Sequence, residues 1–230
     1  LNELNNEKDS LMNIVAHDLK APLNRITGLT TLLEMEGGLT SRQREYLTMI
    51  KRATKSGSDL ITDLLDVNFL NESEHKHVSV LVDLKSLLEN RIRYYQVSAD
   101  LKSIRIEFSS DIQSEFHSVS DYLIRSVDNL LSNAIKFSPS NSLIVIKCHV
   151  YSNTAVISIR DSGPGFTEED KQYLLKKKKK LSASPTGGES SNGLGLAIVK
   201  TLVDRLHGEI ELKSSLGMGA EFIISIPSSG

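Results

Sequence analysis

Apolar residues recur at helical spacing through the first 70 positions, and no other feature limits the fold as strongly. Wound at about 100° per residue, Leu4, Leu11, Ile14, Val15, Leu19, Leu23, Ile26, Leu29 and Leu33 gather mostly into one stripe. Gly37-Gly38 closes that run, as glycine does at a helix terminus. A second run carries Tyr46, Leu47, Ile50, Ala53, Thr54, Leu60, Ile61, Leu64 and Leu65, and fades after Phe69 into the polar stretch NESEHKH. Residues 1–72 therefore read as an all-α antiparallel helical hairpin with a short loop. Such a hairpin cannot bury both stripes by itself, and each buried Leu or Ile contributes roughly 1.5–3 kcal/mol. The simplest remedy is a second copy, giving a homodimer whose core is a four-helix bundle about a two-fold axis. Packing of the hairpin on its own C-terminal domain is the other remedy.

From residue 78 the period changes, so the chain is multidomain. VSVLVDL reads as a strand, followed by a helix from Asp83 to about Ser98 and a strand at 104–108. Residues 119–137 read as a helix, and 143–151 and 154–160 as strands about a turn at Ser152-Asn153. A short helix at about 167–176, a polar loop at 177–192 and a helix at 194–206 follow. Strands at 209–214 and 220–226 flank SLGMG. Interleaved elements ending in a hairpin predict a mixed sheet covered by helices on one face, an α/β sandwich over residues 78–230.

The 27 basic residues nearly cancel the 29 acidic ones, for a net charge of −2, which opposes nucleic-acid binding. No apolar run of about 20 residues is present, so nothing in the sequence spans a membrane. Cys148 has no second cysteine to pair with, which suits a reducing compartment such as the cytoplasm. Alternation in LIVIKCHV places it with Ile144, Ile146 and Val150, as a buried thiol. The opening LNELNNEKDSL has helical spacing without a cap or a secretory signal. It suggests a C-terminal piece of a longer protein, whose upstream region would hold any membrane anchor.

Four short segments carry chemistry. In IVAHDLKAPL, His17 lies about 160° from the centre of the apolar stripe, which predicts an imidazole facing solvent. Pro22 removes a helical hydrogen bond just beyond it. Alone, an exposed helical histidine is most often only solvated, and no second ligand stands at i+4 for a metal. In NLLSNAIKF, Asn129, Asn133 and Lys136 recur at i, i+4 and i+7 on one helix face. Asparagine carbonyls suit Mg²⁺, and a lysine suits phosphate. In DSGPGF, Asp161 at a strand end offers a carboxylate to an exocyclic amine such as adenine's, and Gly163 and Gly165 admit a planar base. In NGLGLAIVK, Gly193 and Gly195 open a helix whose first amides suit phosphate. The stretch KKKKKLSASPTGGESS between the last two segments reads as a nucleotide lid.

Taken in order and at these distances, HDLKAP, NLLSNAIKF, DSGPGF and GLGLAIVK resemble the motifs of the sensor histidine kinases of two-component signalling, over nearly the whole chain. The resemblance implies a dimerisation and histidine-phosphotransfer domain at 1–72 and a catalytic ATP-binding domain at 78–230. That second domain is similar in fold to DNA gyrase, heat-shock chaperones and mismatch-repair ATPases. By the same resemblance His17 accepts the γ-phosphoryl of ATP, and Asp18 takes the imidazole proton or holds its tautomer. Asn133 ligates Mg²⁺ with Asn129 assisting, Lys136 contacts phosphate, and Asp161 holds the adenine amine. Phe137, Gly163, Gly165, Gly193, Gly195 and Leu196 complete the nucleotide site. The phosphoryl group then passes to an aspartate on a response-regulator receiver domain.

Where related ATPases carry a water-activating glutamate this chain has Asn129, which favours transfer to a side chain over hydrolysis. Two other departures stand out. A lysine, Lys178, occupies the place of a phenylalanine before the lid, and Ala21 stands four residues after His17, where many relatives carry Thr or Asn. The first implies a mobile lid and weaker ATP retention; the second implies weak phosphatase activity. The alternative function is a dimeric, nucleotide-binding signalling scaffold without kinase activity, motivated by the lysine-filled lid.

Overall fold

The computed structural model describes the backbone of residues 2–71, 78–112, 115–173 and 195–229. Within the helices, the side chains of residues 2–13, 17, 63, 64, 66–71, 172 and 173 also fall outside the description. The expected polar linker and lid therefore lie outside the described residues, as do Gly193 and Lys178. The described chain forms two compact units, a helical hairpin and a larger α/β unit.

The hairpin consists of α1 (Asn2–Glu36) and α2 (Ser41–Asn71). Gly37 and Gly38 end α1 with φ of +76° and +69°, a left-handed conformation that only glycine adopts without strain. The second helix begins at Ser41, five residues before its first apolar position. Thr40 and Gln43 explain the early start. Thr40 Oγ1 accepts from the Gln43 amide at 3.2 Å, and Gln43 Oε1 accepts from the Thr40 amide at 2.8 Å. This reciprocal capping box satisfies donors at the helix start.

Inside the hairpin, Ala16 and Thr30 of α1 and Leu47, Thr54 and Ile61 of α2 are buried. Positions 16, 23 and 30 are spaced by seven residues, as are 47, 54 and 61, which is the repeat of a supercoiled helix pair. Gly57 fits this seam because a methyl there would stand 3.2 Å from Leu23 Cδ1. The buried threonine hydroxyls return to their own helices, Thr30 to Thr27 O and Thr54 to Ile50 O and Lys51 O. Lys51 and Glu34 pair across the two helices. Most of the apolar stripe stays wet in the single chain: Ile14 is 54% exposed, Leu29 61%, Leu33 46% and Met49 60%.

The second unit opens with β1 (Val80–Leu81), α3 (Leu84–Asp100), β2 (Arg105–Asp111), β3 (His117–Ser118) and α4 (Ser120–Phe137). It continues with β4 (Leu143–Tyr151), β5 (Thr154–Arg160), α5 (Glu168–Tyr173), α6 (Gly195–Arg205), β6 (Glu209–Ser214) and β7 (Ala220–Pro227). The expected strand at VSVLVDL shrinks to two residues. The helix expected from Asp83 begins at Leu84, with Asp83 as its cap, accepting from the Ser86 amide at 3.0 Å. That bond, from the backbone of Ser86, holds the Asp83 carboxyl below its usual range. Strand β3, absent from the sequence reading, pairs antiparallel with β1.

The main sheet has the order β2-β4-β5-β7-β6, with β2 and β4 parallel and the other pairs antiparallel. It is the mixed sheet expected. Ile144, Ile146, Cys148, Ala155, Ile157, Ile159, Ile224 and Ile226 are all 2% exposed or less. They form one face of the core, with Leu130, Leu131, Val199 and Leu202 of α4 and α6. The other face carries a row of alternating charge, Arg160, Glu221 and Lys213, on neighbouring strands. Arg91 of α3 holds Asp128 of α4 bidentately, with Nε and Nη2 at 2.7 and 2.8 Å from the two carboxylate oxygens.

Candidate functional site on the α/β unit

Helix α4 buries Leu130, Leu131, Ala134 and Ile135 and leaves Asn129, Asn133 and Lys136 half-buried. The polar triplet thus interrupts an apolar helix at the edge of the core. Asn129 Nδ2 donates to Arg125 O at 3.0 Å, which fixes the roll of its carboxamide. Across from it, Gly195 opens α6. A methyl on Gly195 would lie 2.9 Å from Asn129 Oδ1 and 3.6 Å from Asn133 Nδ2. The start of α6 therefore rests directly against the asparagine face, and the lack of a side chain at Gly195 permits it. Leu196 is 8% exposed, so its side chain belongs to the core and only its backbone can serve a ligand.

The DSGPGF turn leaves β5 beside the C-terminus of α4. Asp161 is 8% exposed, and its Oδ1 accepts from the amides of Gly163 at 2.7 Å and Ala220 at 3.2 Å. Oδ2 makes no hydrogen bond among the described residues, so it remains as an acceptor for a ligand's amine. Burial pushes the Asp161 carboxyl above its usual range, against the two amides that favour its charged form. Gly163 lies where a methyl would meet Phe137 O at 3.0 Å, which brings the end of α4 against the turn. Ser138 Oγ accepts from the Ser162 amide at 3.3 Å and reinforces this contact.

The turn is braced from the other side by the β6–β7 hairpin. Gly217 donates to Pro164 O at 2.6 Å, and the Phe166 amide donates to Ser214 Oγ at 3.0 Å. Phe166 packs edge-on to Phe222, with ring centroids 6.1 Å apart. Gly165, with φ of +68°, approaches Ser215 O so closely that a methyl would be 2.1 Å away. Sequence reading took SLGMG only as a connection between strands. Its role as a brace was signalled by glycines at 217 and 219 in a loop longer than a tight turn needs.

The structure thus brings together Asn129, Asn133, Lys136, Phe137, Asp161, Gly163, Gly165, Gly195 and Leu196 on the α/β unit. His17 and Asp18 lie on α1 of the hairpin. Asp18 is exposed. The side chain of His17, and with it the expected outward imidazole, lies outside the described residues. Half-buried carboxamides on one face are hard-oxygen donors of the kind Mg²⁺ takes, so this residue set fits that ion. Among the described residues no helix is long and apolar enough to cross a membrane.

The chain matches two protein families. Residues 7–72 match the His Kinase A (phospho-acceptor) domain family, and residues 118–230 match the Histidine kinase-, DNA gyrase B-, and HSP90-like ATPase family. The sensor protein EvgS of Escherichia coli K12 is 30% identical over 227 residues, 96% of this chain and 19% of EvgS. The circadian input-output histidine kinase CikA of Synechococcus elongatus is 28% identical, over 97% of this chain and 30% of CikA. The chain thus spans about a fifth to a third of these relatives. Two solved structures share the fold. Full-length ShkA in complex with AMPPNP superposes with a TM-score of 0.66 at 24% identity, covering 95% of this chain and 46% of ShkA. Acinetobacter baumannii AdeS does so with 0.60 at 20% identity, covering 93% and 98%. The chain belongs to the sensor histidine kinases of two-component systems, and its second unit is an ATP-binding domain of their type.

Proposed function

We propose that this chain is the catalytic core of an ATP-dependent protein histidine kinase that phosphorylates His17 and passes the phosphoryl group to an aspartate of a response regulator. Residues 1–72 serve as the dimerisation and phosphotransfer domain, and residues 78–230 as the ATP-binding domain. The observation that carries the reading is the approach of Gly195 to the Asn129 and Asn133 carboxamides, which joins an anion-binding helix start to a hard-oxygen face. Asp161 supports the base end, with one carboxylate oxygen anchored by two amides and the other left for an exocyclic amine.

In this mechanism Asp161 orients the purine, and Gly163 and Gly165 admit it. Lys136 and the first amides of α6, with Gly193, hold the phosphates. Asn133, with Asn129 assisting, would hold Mg²⁺, which supplies charge neutralisation on the phosphates. A ring nitrogen of His17 attacks the γ-phosphorus, the bond to the β–γ bridging oxygen breaks, and ADP leaves. Asp18 takes the imidazole proton or fixes the tautomer that keeps the attacking nitrogen unprotonated. Such transfer depends mostly on positioning and charge, so few residues suffice. The exposed apolar stripe of the hairpin supports a homodimer through residues 1–72, because a second copy would remove it from water.

Incubation with γ-labelled ATP tests the reading. A kinase gains acid-labile, base-stable label that His17→Gln abolishes. Nucleotide binding with no label on the chain contradicts it and favours a non-catalytic scaffold.

A further inference from the structure

The last carbonyls of α4 are accounted for by an unusual set of partners. Ala134 O accepts from the Ser138 amide at 3.1 Å, and Phe137 O lies against Gly163. Ile135 O and Lys136 O both accept from the ammonium of Lys102, at 2.8 and 3.0 Å. Lys102 sits in the turn between α3 and β2, more than 30 residues away in sequence. Its own carbonyl accepts from the Asn141 amide at 3.0 Å, so the same residue also holds the loop that leaves α4. A partly buried cation on two helix-terminal carbonyls fixes the helix end by hydrogen bonding and by its charge against the helix dipole.

We propose that Lys102 is a positioning residue for the nucleotide site, an inference that rests on the nucleotide-site reading above. It touches no part of the proposed ligand. Its two bonds land on the backbone of the turn that carries Lys136, one turn beyond Asn133. The next carbonyl, Phe137 O, packs on Gly163 beside Asp161. Lys102 therefore sets the spacing between the phosphate end of the cleft and the base end. Without it, Ile135 O and Lys136 O turn to water, and the Lys136–Phe137 segment gains freedom to move away from Gly163.

The test is a titration of the full chain with a fluorescent ATP analogue, in the His17→Gln background and well below the melting temperature. Binding is then read without phosphoryl transfer, so failure here is separable from failure of the kinase reading. Lys102→Met keeps the aliphatic stem and loses the donors, and its dissociation constant should rise about 3- to 10-fold. Lys102→Arg keeps donors and charge and should stay within about two-fold of the parent. Lys102→Gln keeps one amide and should fall between them, and it serves if the Met variant does not fold. Affinity equal to the parent in both Met and Gln variants, with only a lowered melting temperature, makes Lys102 merely structural and overturns the proposal. A parent chain that binds no nucleotide refutes the nucleotide site itself.

Discussion

Gly195→Ala should separate function from stability. The added methyl would stand 2.9 Å from Asn129 Oδ1, closer than such contacts allow, so the carboxamide must move by a few tenths of an ångström. That carboxamide is tethered through Nδ2 to Arg125 O at 3.0 Å, so the movement strains or breaks the bond. Loss of one such bond costs about 0.5–1.5 kcal/mol. Gly195 is the first residue of α6, so alanine there recovers only part of the roughly 1 kcal/mol it returns in a helix interior. Gly195 has no left-handed backbone to lose, so the net loss of folding stability should stay below about 1 kcal/mol. The nucleotide cannot use that offset, because Asn129 no longer sits where the ligand needs it. Loss of about 1–1.4 kcal/mol in binding corresponds to a 5- to 10-fold rise in the dissociation constant. Urea unfolding and nucleotide titration on the same preparation read both quantities. Unchanged affinity together with reduced stability is the opposite pattern, and it would refute the placement of Asn129 in the site.

Asp161 supplies a pH test. Its raised carboxyl binds a proton at a pH where an ordinary aspartate stays charged. Adenine-nucleotide affinity should therefore fall as pH is lowered into that raised range, and Asp161→Asn should flatten the profile. The ionised form is disfavoured in the fold, so its destabilising effect is present above the raised pKa and fades as pH falls. The Asn variant should accordingly melt no lower than the parent at neutral pH. Gly219→Ala combines a φ of +77° with a methyl 2.2 Å from Asp161 O, and should cost about 3–5 kcal/mol in urea unfolding. Cys148 is 2% exposed and its thiol is pushed up to about 12 by burial, so thiol reagents near neutral pH should label it only after unfolding.

Much of the fold was legible because hydrophobic period reports directly on burial. The two stripes of residues 1–70 and the alternation of 143–160 place α1, α2, β4 and β5 to within a few residues. The exceptions share one cause: they depend on hydrogen bonds rather than on apolar period. Thr40 and Gln43 start α2 before its first apolar residue, and both letters of that capping box were present in TSRQ. Strand β3 spans two residues, His117 and Ser118, too few to show alternation. In the site, Asn129, Asn133 and Lys136 could be grouped from helical spacing alone, since i, i+4 and i+7 share a face whatever surrounds them. The proximity of Asn129 and Asn133 to Gly195 could not, because it depends on how α6 crosses α4. Nor could sequence reveal the bracing of DSGPGF by Ser214 and Gly217, or Lys102 at the end of α4. Those contacts join segments more than 30 residues apart and leave no local pattern.

The central claim is that one nucleotide cleft is formed by the α4 face, the DSGPGF turn and the start of α6. Backbone amide NMR of the deuterated chain, titrated with Mg²⁺ and a non-hydrolysable ATP analogue, tests it most directly. The account predicts saturable shifts concentrated at Asn129, Asn133, Lys136, Asp161, Gly163 and Gly195, with the Tyr151–Thr154 hairpin at the opposite end of β5 left nearly still. Shifts confined to that hairpin, or no shifts at millimolar analogue, would contradict it.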